Sequence, residues 1–213
     1  MNNTISVMLV DDHAVVRAGY NMLLKKSSEI TVVAEASSGE EAYQLYSVTK
    51  PDVVVMDLSL PGIGGIEVIK RICIRDNGAT ILVFSMHEEV IFVEQALQAG
   101  ARGYITKSTN PQLLVEAIIR LSKGEKYIDA ELAQRIAYEK SRGQDSLLSD
   151  LSTREFEIFC MLAEGSNTSE IAKRLCLSYK TVANYSTQIK SKLNVTTIAD
   201  IARLAIRHKI IQA

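Results

Sequence analysis

The feature that most constrains this chain is a rhythm that runs for half its length and then stops. Across residues 5–123, short apolar runs rich in β-branched residues alternate with helix-length amphipathic segments; beyond residue 150 every apolar spacing is helical. The strand candidates are Ile5–Val10, Thr31–Ala34, Val53–Met56, Thr80–Phe84 and Gly103–Ile105. Continuous apolar runs of this length fit strands covered on both faces. The intervening periodicity predicts a helix over 64–75, with Ile66, Ile69, Ile72 and Cys73 on one stripe. It predicts another over 88–99, with Val90, Val93 and Leu97 inward, then one over about 110–122 and one over 128–139. Strands that alternate with helices require right-handed crossovers, hence a doubly wound, five-stranded parallel sheet with helices on both sides. The polar stretch 140–150 reads as a linker. The expected layout is an α/β domain over 1–124, a helix and linker over 125–150, and an all-α domain over 151–213.

Composition narrows the function classes. No apolar run approaches the roughly 20 residues needed to cross a bilayer, and the first residues lack a basic segment followed by a long apolar one. Cys73, Cys160 and Cys176 are scattered, with no metal-binding spacing, as in a reducing compartment. A cytoplasmic location is expected. The net charge of −1 hides an asymmetry: residues 150–213 carry nine basic and six acidic side chains, the remainder fifteen and nineteen. A basic tail behind an acidic front favours a polyanionic partner for the tail.

Three carboxylates sit at strand ends. Asp11 and Asp12 follow the first strand and Asp57 follows the third. In an open parallel sheet the ligand crevice lies at the carboxyl ends of neighbouring strands, where the order switches. A strand order of 2-1-3-4-5 brings these acids together. Such convergence is unfavourable without a cation or protons, and an oxygen-only donor set suits Mg²⁺ better than zinc. Ser85 follows the fourth strand and Lys107 the fifth. A hydroxyl, an ammonium and a divalent cation around one carboxylate form a phosphoryl-accepting site with Asp57 as nucleophile. A lone Asp or Lys after a strand is usually a turn residue or a solvated one. Five chemically matched residues at four strand ends outweigh that reading.

Leu9-Val-Asp-Asp-His13, Met56-Asp-Leu-Ser-Leu-Pro-Gly62, Phe84-Ser-Met86 and Gly100-Ala-Arg-Gly-Tyr-Ile-Thr-Lys107 resemble the motifs of CheY-like receiver domains over roughly residues 4–123. The resemblance implies that Asp57 takes phosphate from a sensor histidine kinase. It implies that Asp12 binds Mg²⁺ directly, Asp11 through water, and that Asp57 and the Ser59 backbone carbonyl complete the protein's ligands. Ser85 becomes the switch hydroxyl and Tyr104 the switch aromatic. Where many receivers have proline after the lysine, this chain has Ser108, which leaves the isomer of the 107–108 peptide open. Ser59 and His87 fall where receivers often tune autodephosphorylation, although His87 by itself reads as a solvent-facing loop residue.

In the tail, Phe156, Phe159 and Ala163 share one face, Gly165 is a stop signal, and Asn167 with Glu170 forms a capping-box start. Ile171, Ala172 and Leu175 point inward, and Ser178 caps the next helix. That helix buries Val182, Ile189 and Leu193 and sets Lys180, Asn184, Thr187 and Ser191 on an acid-free outer face. A last helix over 197–207 carries Ile198, Ile201, Ala202 and Ala205 on one side. On periodicity alone, an ordinary small bundle is a better explanation than a helix-turn-helix.

The residues favour the second: Leu151-Ser-Thr-Arg-Glu155, Ala163-Glu-Gly165, Glu170-Ile-Ala172, Leu177-Ser-Tyr-Lys-Thr-Val182 and Lys190-Ser-Lys-Leu-Asn-Val195 resemble the LuxR-type DNA-binding domain. With the receiver, this resembles the NarL/FixJ family of response regulators and, within it, the GacA/UvrY-like subgroup. By position, Lys180, Thr181 and Lys190 are implied phosphate contacts. Ala183, Asn184 and Thr187 are implied base-reading positions, Asn184 suiting adenine and Thr187 or Ala183 a thymine methyl. Several relatives carry basic residues at 183 or 187, which leaves the half-site sequence undetermined.

The expected function is a phosphorylation-activated transcriptional regulator that binds promoter DNA as a dimer, with a sensor kinase and RNA polymerase as partners. It is not an enzyme beyond self-catalysed phosphotransfer and autodephosphorylation. A haloacid-dehalogenase-type phosphatase needs Asp-x-Asp after the first strand, and here the two acids are adjacent. A dinucleotide fold needs a glycine-rich turn there, whereas Pro61-Gly-Ile-Gly-Gly65 follows the third strand. A protein-interaction module without DNA affinity is the third alternative.

Overall fold

The computed structural model describes residues 4–141 and 147–211. By contact density the chain divides into two compact units, Met1–Glu88 with Ala96–Ala137, and Glu89–Gln95 with Tyr138–Ala213.

The first unit is built from β1 (Ile5–Val10), α1 (Ala14–Leu24), β2 (Ile30–Ala36), α2 (Gly39–Thr49), β3 (Val53–Met56), α3 (Gly65–Arg75), β4 (Ile81–Ser85), β5 (Gly103–Thr106), α5 (Gln112–Ser122), β6 (Tyr127–Ile128) and most of α6 (Ala130–Ser141). Helix α4 (Val90–Ala99) falls across the division. All strands are parallel, in the order β2-β1-β3-β4-β5-β6. The five-stranded core has the order read from the sequence, and β6 is added at its edge.

Alternation along the strands divides the core into two layers. Val7, Leu9, Val53, Val55, Leu82, Phe84 and Ile105 pack with Leu24 of α1 and with Leu114, Ala117, Ile118 and Leu121 of α5. The alternate residues Met8, Val10, Val54, Met56, Val83 and Tyr104 are equally buried. Helix α2 packs over β1 and β2 and against α3. Each buried aliphatic side chain contributes about 1.5–3 kcal/mol of transfer free energy.

Several expectations shift. The strand expected to end at Ala34 runs to Ala36. Helix α3 buries Val68, Ile69 and Ile72, while Ile66 and Cys73 stay half-buried. In α4, Ala96 is buried and Leu97 only half-buried. The helix expected over 128–139 begins at Ala130, because Tyr127 and Ile128 pair with Gly103 and Tyr104 as β6. Backbone pairing with an open sheet edge outcompetes the helical periodicity there. Asp129 then caps α6 by accepting from Leu132 N–H at 3.0 Å.

The second unit is helical: a short 3-10 turn (Leu147–Asp150), α7 (Thr153–Ala163), α8 (Thr168–Arg174), α9 (Tyr179–Lys192) and α10 (Ile198–Arg207). Capping boxes start α7 (Ser152, Glu155), α8 (Asn167, Glu170) and α10 (Thr197, Asp200), and Ser178 caps α9. A cap of this kind is worth about 1 kcal/mol. The outer part of the 140–150 linker is this 3-10 turn, with Leu148 fully buried; residues 142–146 lie outside the described residues. Helix α7 packs on α9 and α10, and α8 on α9. In α10 the buried residues are Ile201, Leu204 and Ala205; of the other two residues that share a side with Ile201 and Ala205, Ala202 is half-buried and Ile198 exposed.

Candidate functional site

Register brings the acidic residues together. Val10 pairs with Met56, and the Asp57 N–H donates to the Val10 carbonyl at 2.9 Å, so Asp11 and Asp57 leave adjacent strands side by side. Ser85 pairs with Thr106, and the Lys107 N–H donates to the Ser85 carbonyl at 2.8 Å. Lys107 Nζ then reaches both Asp11 Oδ2 and Asp57 Oδ2, each at 2.7 Å. All three side chains are nearly excluded from solvent. Gly65 makes this geometry possible: a Cβ there would lie 2.2 Å from the Asp57 carbonyl oxygen.

One ammonium between two buried carboxylates leaves a net negative charge in a low-dielectric crevice. Burial alone would pull Lys107 down, but hydrogen bonds and charge from Asp11 and Asp57 hold it above the ordinary lysine range. It stays a cation throughout the physiological range. Tyr20 lines a small cavity with Asp11, Arg17 and Phe84; its ring meets Phe84 edge-on at 4.6 Å, and burial pushes its phenol up.

Asp12 is partly exposed and holds His13 Nδ1 at 2.7 Å. Ligating atoms of Asp11, Asp12 and His13 lie within 4.8 Å of one another; Asp57, expected among the ligands, is not in this group and is linked to Asp11 by the Lys107 ammonium that both share. The residues fit a divalent cation: the carboxylates outnumber the cations, the donors are mostly oxygen, and Asp12 opens one side to solvent. His13 was missed by the sequence reading, although its place directly after the acid pair was the available signal.

The remaining receiver residues are arranged less directly. The Ser59 N–H donates to Asp57 Oδ1 at 3.3 Å. Ser59 Oγ lies 3.3 Å from His87 Nε2. His87, expected to face solvent, is half-buried, and its carbonyl accepts the Tyr104 hydroxyl at 2.9 Å. Tyr104 is fully buried. Ser85 Oγ, also fully buried, accepts from the His87 N–H at 3.4 Å and makes no hydrogen bond to Asp57 among the described residues. There is no cis peptide among the described residues, so the 107–108 bond is trans.

The second candidate site is the outer face of α9. Lys180, Asn184, Thr187 and Ser191 are exposed; Thr181, Ala183 and Lys190 are half-buried. The Thr181 hydroxyl lies 2.8 Å from the Ser178 cap. Thr187 donates back to the Ala183 carbonyl at 3.1 Å, which commits its hydroxyl within the helix. Tyr179, at the exposed start of α9, was not singled out from the sequence. Lys192 is otherwise engaged: it donates to Glu155 Oε2 at 2.7 Å. Burial would raise the Glu155 carboxyl, but the Lys192 and Ser152 hydrogen bonds hold it below the usual range. The turn from α8 to α9 passes through Cys176, at φ +53°.

An α/β unit with an acid–lysine crevice at its strand ends, followed by a capped helix-turn-helix, defines a phospho-receiver coupled to a DNA-binding domain. Residues 7–119 match the response regulator receiver domain, and residues 149–205 match the LuxR family of bacterial regulatory proteins. The chain belongs to the two-component response regulators of the NarL/FixJ (LuxR-type) family. It is 42% identical to the transcriptional activator protein ExaE of Pseudomonas putida over 95% of this chain and 96% of that one. It is 39% identical to the response regulator UvrY of Escherichia coli K12, over 98% and 97%. A structure of RcsB from Salmonella enterica serovar Typhimurium, bound to promoter rprA in the presence of phosphomimetic BeF3−, matches with a TM-score of 0.73. It is 26% identical and covers 95% of this chain and 98% of that one.

Proposed function

We propose that this chain is a transcriptional regulator switched by phosphorylation of Asp57. The observation that carries the reading is Lys107 Nζ held 2.7 Å from both Asp11 and Asp57. In this reading residues 1–124 act as the receiver, 125–150 connect, and 151–213 bind DNA. Asp57 attacks the phosphorus of a sensor kinase's phosphohistidine. The P–N bond breaks, a P–O bond to Asp57 forms, and the departing imidazole nitrogen takes up a proton. Lys107 transfers part of its charge pairing from Asp57 to the arriving phosphoryl oxygens. Asp11, Asp12, Asp57 and the Ser59 carbonyl would hold Mg²⁺, which neutralises phosphoryl charge.

Ser85 and Tyr104 serve as the switch pair. The added phosphoryl oxygens offer the Ser85 hydroxyl a stronger acceptor, and the population shifts only as far as that preference allows. The helical domain then binds promoter DNA as a dimer, with RNA polymerase as the downstream partner, in the cytoplasm. Lys180, Thr181 and Lys190 contact phosphates, while Ala183, Asn184 and Thr187 read bases. With its hydroxyl committed to Ala183, Thr187 presents its methyl group, the surface that suits a thymine methyl. The test is Asp57→Ala treated with acetyl phosphate. We expect no alkali- and hydroxylamine-labile phosphoryl label and no gain in promoter affinity; a gain in the variant would overturn Asp57 as the acceptor.

A further inference from the structure

Arg17 lies one turn into α1, its N–H donating to the His13 carbonyl at 3.0 Å. Its guanidinium forks. Nη1 donates to the backbone carbonyl of Asp11 at 2.5 Å, and Nε donates to Glu35 Oε2 at 3.3 Å. The other Glu35 oxygen accepts from Asn21 Nδ2. Glu35 is on β2, in register with Leu9, two residues before Asp11. The side chain of Arg17 is only 18% exposed. Helix α1, like α5, has neither a side-chain cap at its start nor an acid in its first turn.

Every polar group of Asp11 is therefore engaged. Its N–H donates to the Ala36 carbonyl at 3.1 Å. Its Oδ1 accepts from the His13 N–H at 2.8 Å and its Oδ2 from Lys107. Its carbonyl accepts from Arg17. Three of these contacts come from backbone or from a residue the phosphoryl reading already uses. The fourth comes from a planar, rigid donor that ties the loop to β2. We propose that Arg17, oriented by Glu35, is a positioning residue that holds the 11–13 loop in the geometry that binds a divalent cation. The proposal rests on the reading of Asp11, Asp12 and Asp57 as a cation site.

Charge and position make opposite demands here, which gives the experiment its sign. If Arg17 acted only through its charge, its removal would take a cation away from a cation site and strengthen binding. If it acts by position, removal weakens binding, because partners that orient ligands typically change metal affinity by about 10–100-fold. The probe is Mn²⁺ alone, titrated against the full chain and followed by the loss of its free electron paramagnetic resonance signal. Arg17→Ala should raise the Kd by about tenfold with stoichiometry unchanged. Arg17→Lys should lose most of the same affinity, since one ammonium cannot span both acceptors. Glu35→Gln should lose less, and Arg17→Ala combined with Glu35→Gln should be no worse than Arg17→Ala alone. Labelling of Arg17→Ala by acetyl phosphate should return to the wild-type rate at saturating Mg²⁺, which a merely structural defect would not allow.

A Kd for Arg17→Ala equal to or tighter than wild type would overturn the proposal. Should that variant fail to fold, Arg17→Lys decides: wild-type affinity overturns the proposal and a several-fold loss supports it. If wild type takes up no Mn²⁺ that Asp12→Asn abolishes, the cation site falls and the positioning role falls with it. If wild type binds and the Arg17 variants bind equally, only the positioning role fails.

Discussion

In the crevice at the strand ends, charges are buried and answered by one another; on the outer face of α9, they are set out in water. Lys107 is 8% exposed and grips two carboxylates, whereas Lys180 and Asn184 stand exposed on a helix whose face carries no acid. The contrast suits the roles proposed for the two sites. A group that stabilises developing charge works best when ordered beforehand and shielded from water. A face that meets a polyanion gains by releasing counterions, so its cations belong in solvent. The crevice should therefore be sensitive to single deletions and indifferent to salt, and the helix face the reverse.

The sharpest way to break this comparison is Lys107→Met. Two buried carboxylates would lose their shared cation, and we expect a stability loss of about 3–5 kcal/mol at pH 7, read by denaturant melts. In the wild type, Lys107 is raised above its ordinary value. Its contribution is thus fully present below about pH 10.5 and lost only as pH climbs through the folded value. A melt unchanged in the variant would show the crevice is not electrostatically tied.

On the other side, Asn184→Ala should weaken promoter affinity by about 1–3 kcal/mol and relax the preference at one base pair, measured by competition binding. An equal loss on non-specific DNA would place Asn184 on the backbone instead. Glu155 links the two kinds of site, being a buried charge inside the recognition domain. Glu155→Gln should cost about 1–2 kcal/mol in helical-unit stability by thermal melting. Because the carboxyl of Glu155 is lowered, its contribution is present above about pH 4.5 and disappears as pH falls through the folded value. The variant should therefore show a flatter acid limb. The smallest effect expected is for Lys180→Ala or Lys190→Ala. Each should reduce the slope of log affinity against log salt by about 0.9 while leaving sequence preference intact.

Much of the crevice could be read from the sequence because its residues follow strands that announce themselves. The β-branched run Val53–Met56 admits one reading, and Asp57 comes next in the chain. Capping chemistry is equally local, so the Asn167 and Ser178 starts are visible three residues at a time. What escaped depends on contacts that spacing does not encode. Nothing local says that Arg17 turns back to a carbonyl six residues earlier while gripping a different strand. Nor does a two-residue run, Tyr127-Ile128, distinguish itself from the helix that follows until a sheet edge is there to receive it. In α10, periodicity put Ile198 on one side with Ile201 and Ala205 without saying which of them is covered; Ile201, Leu204 and Ala205 are buried and Ile198 is exposed.

The short β6 has a practical consequence for fragments of this chain. It covers the outer backbone of Gly103 and Tyr104, so a receiver fragment ended before Tyr127 would display bare donors and acceptors beside the residue proposed as the switch. Bare strands of that sort recruit one another. Such a fragment would self-associate through its raw edge, and any dimer it formed would report on the cut and not on phosphorylation.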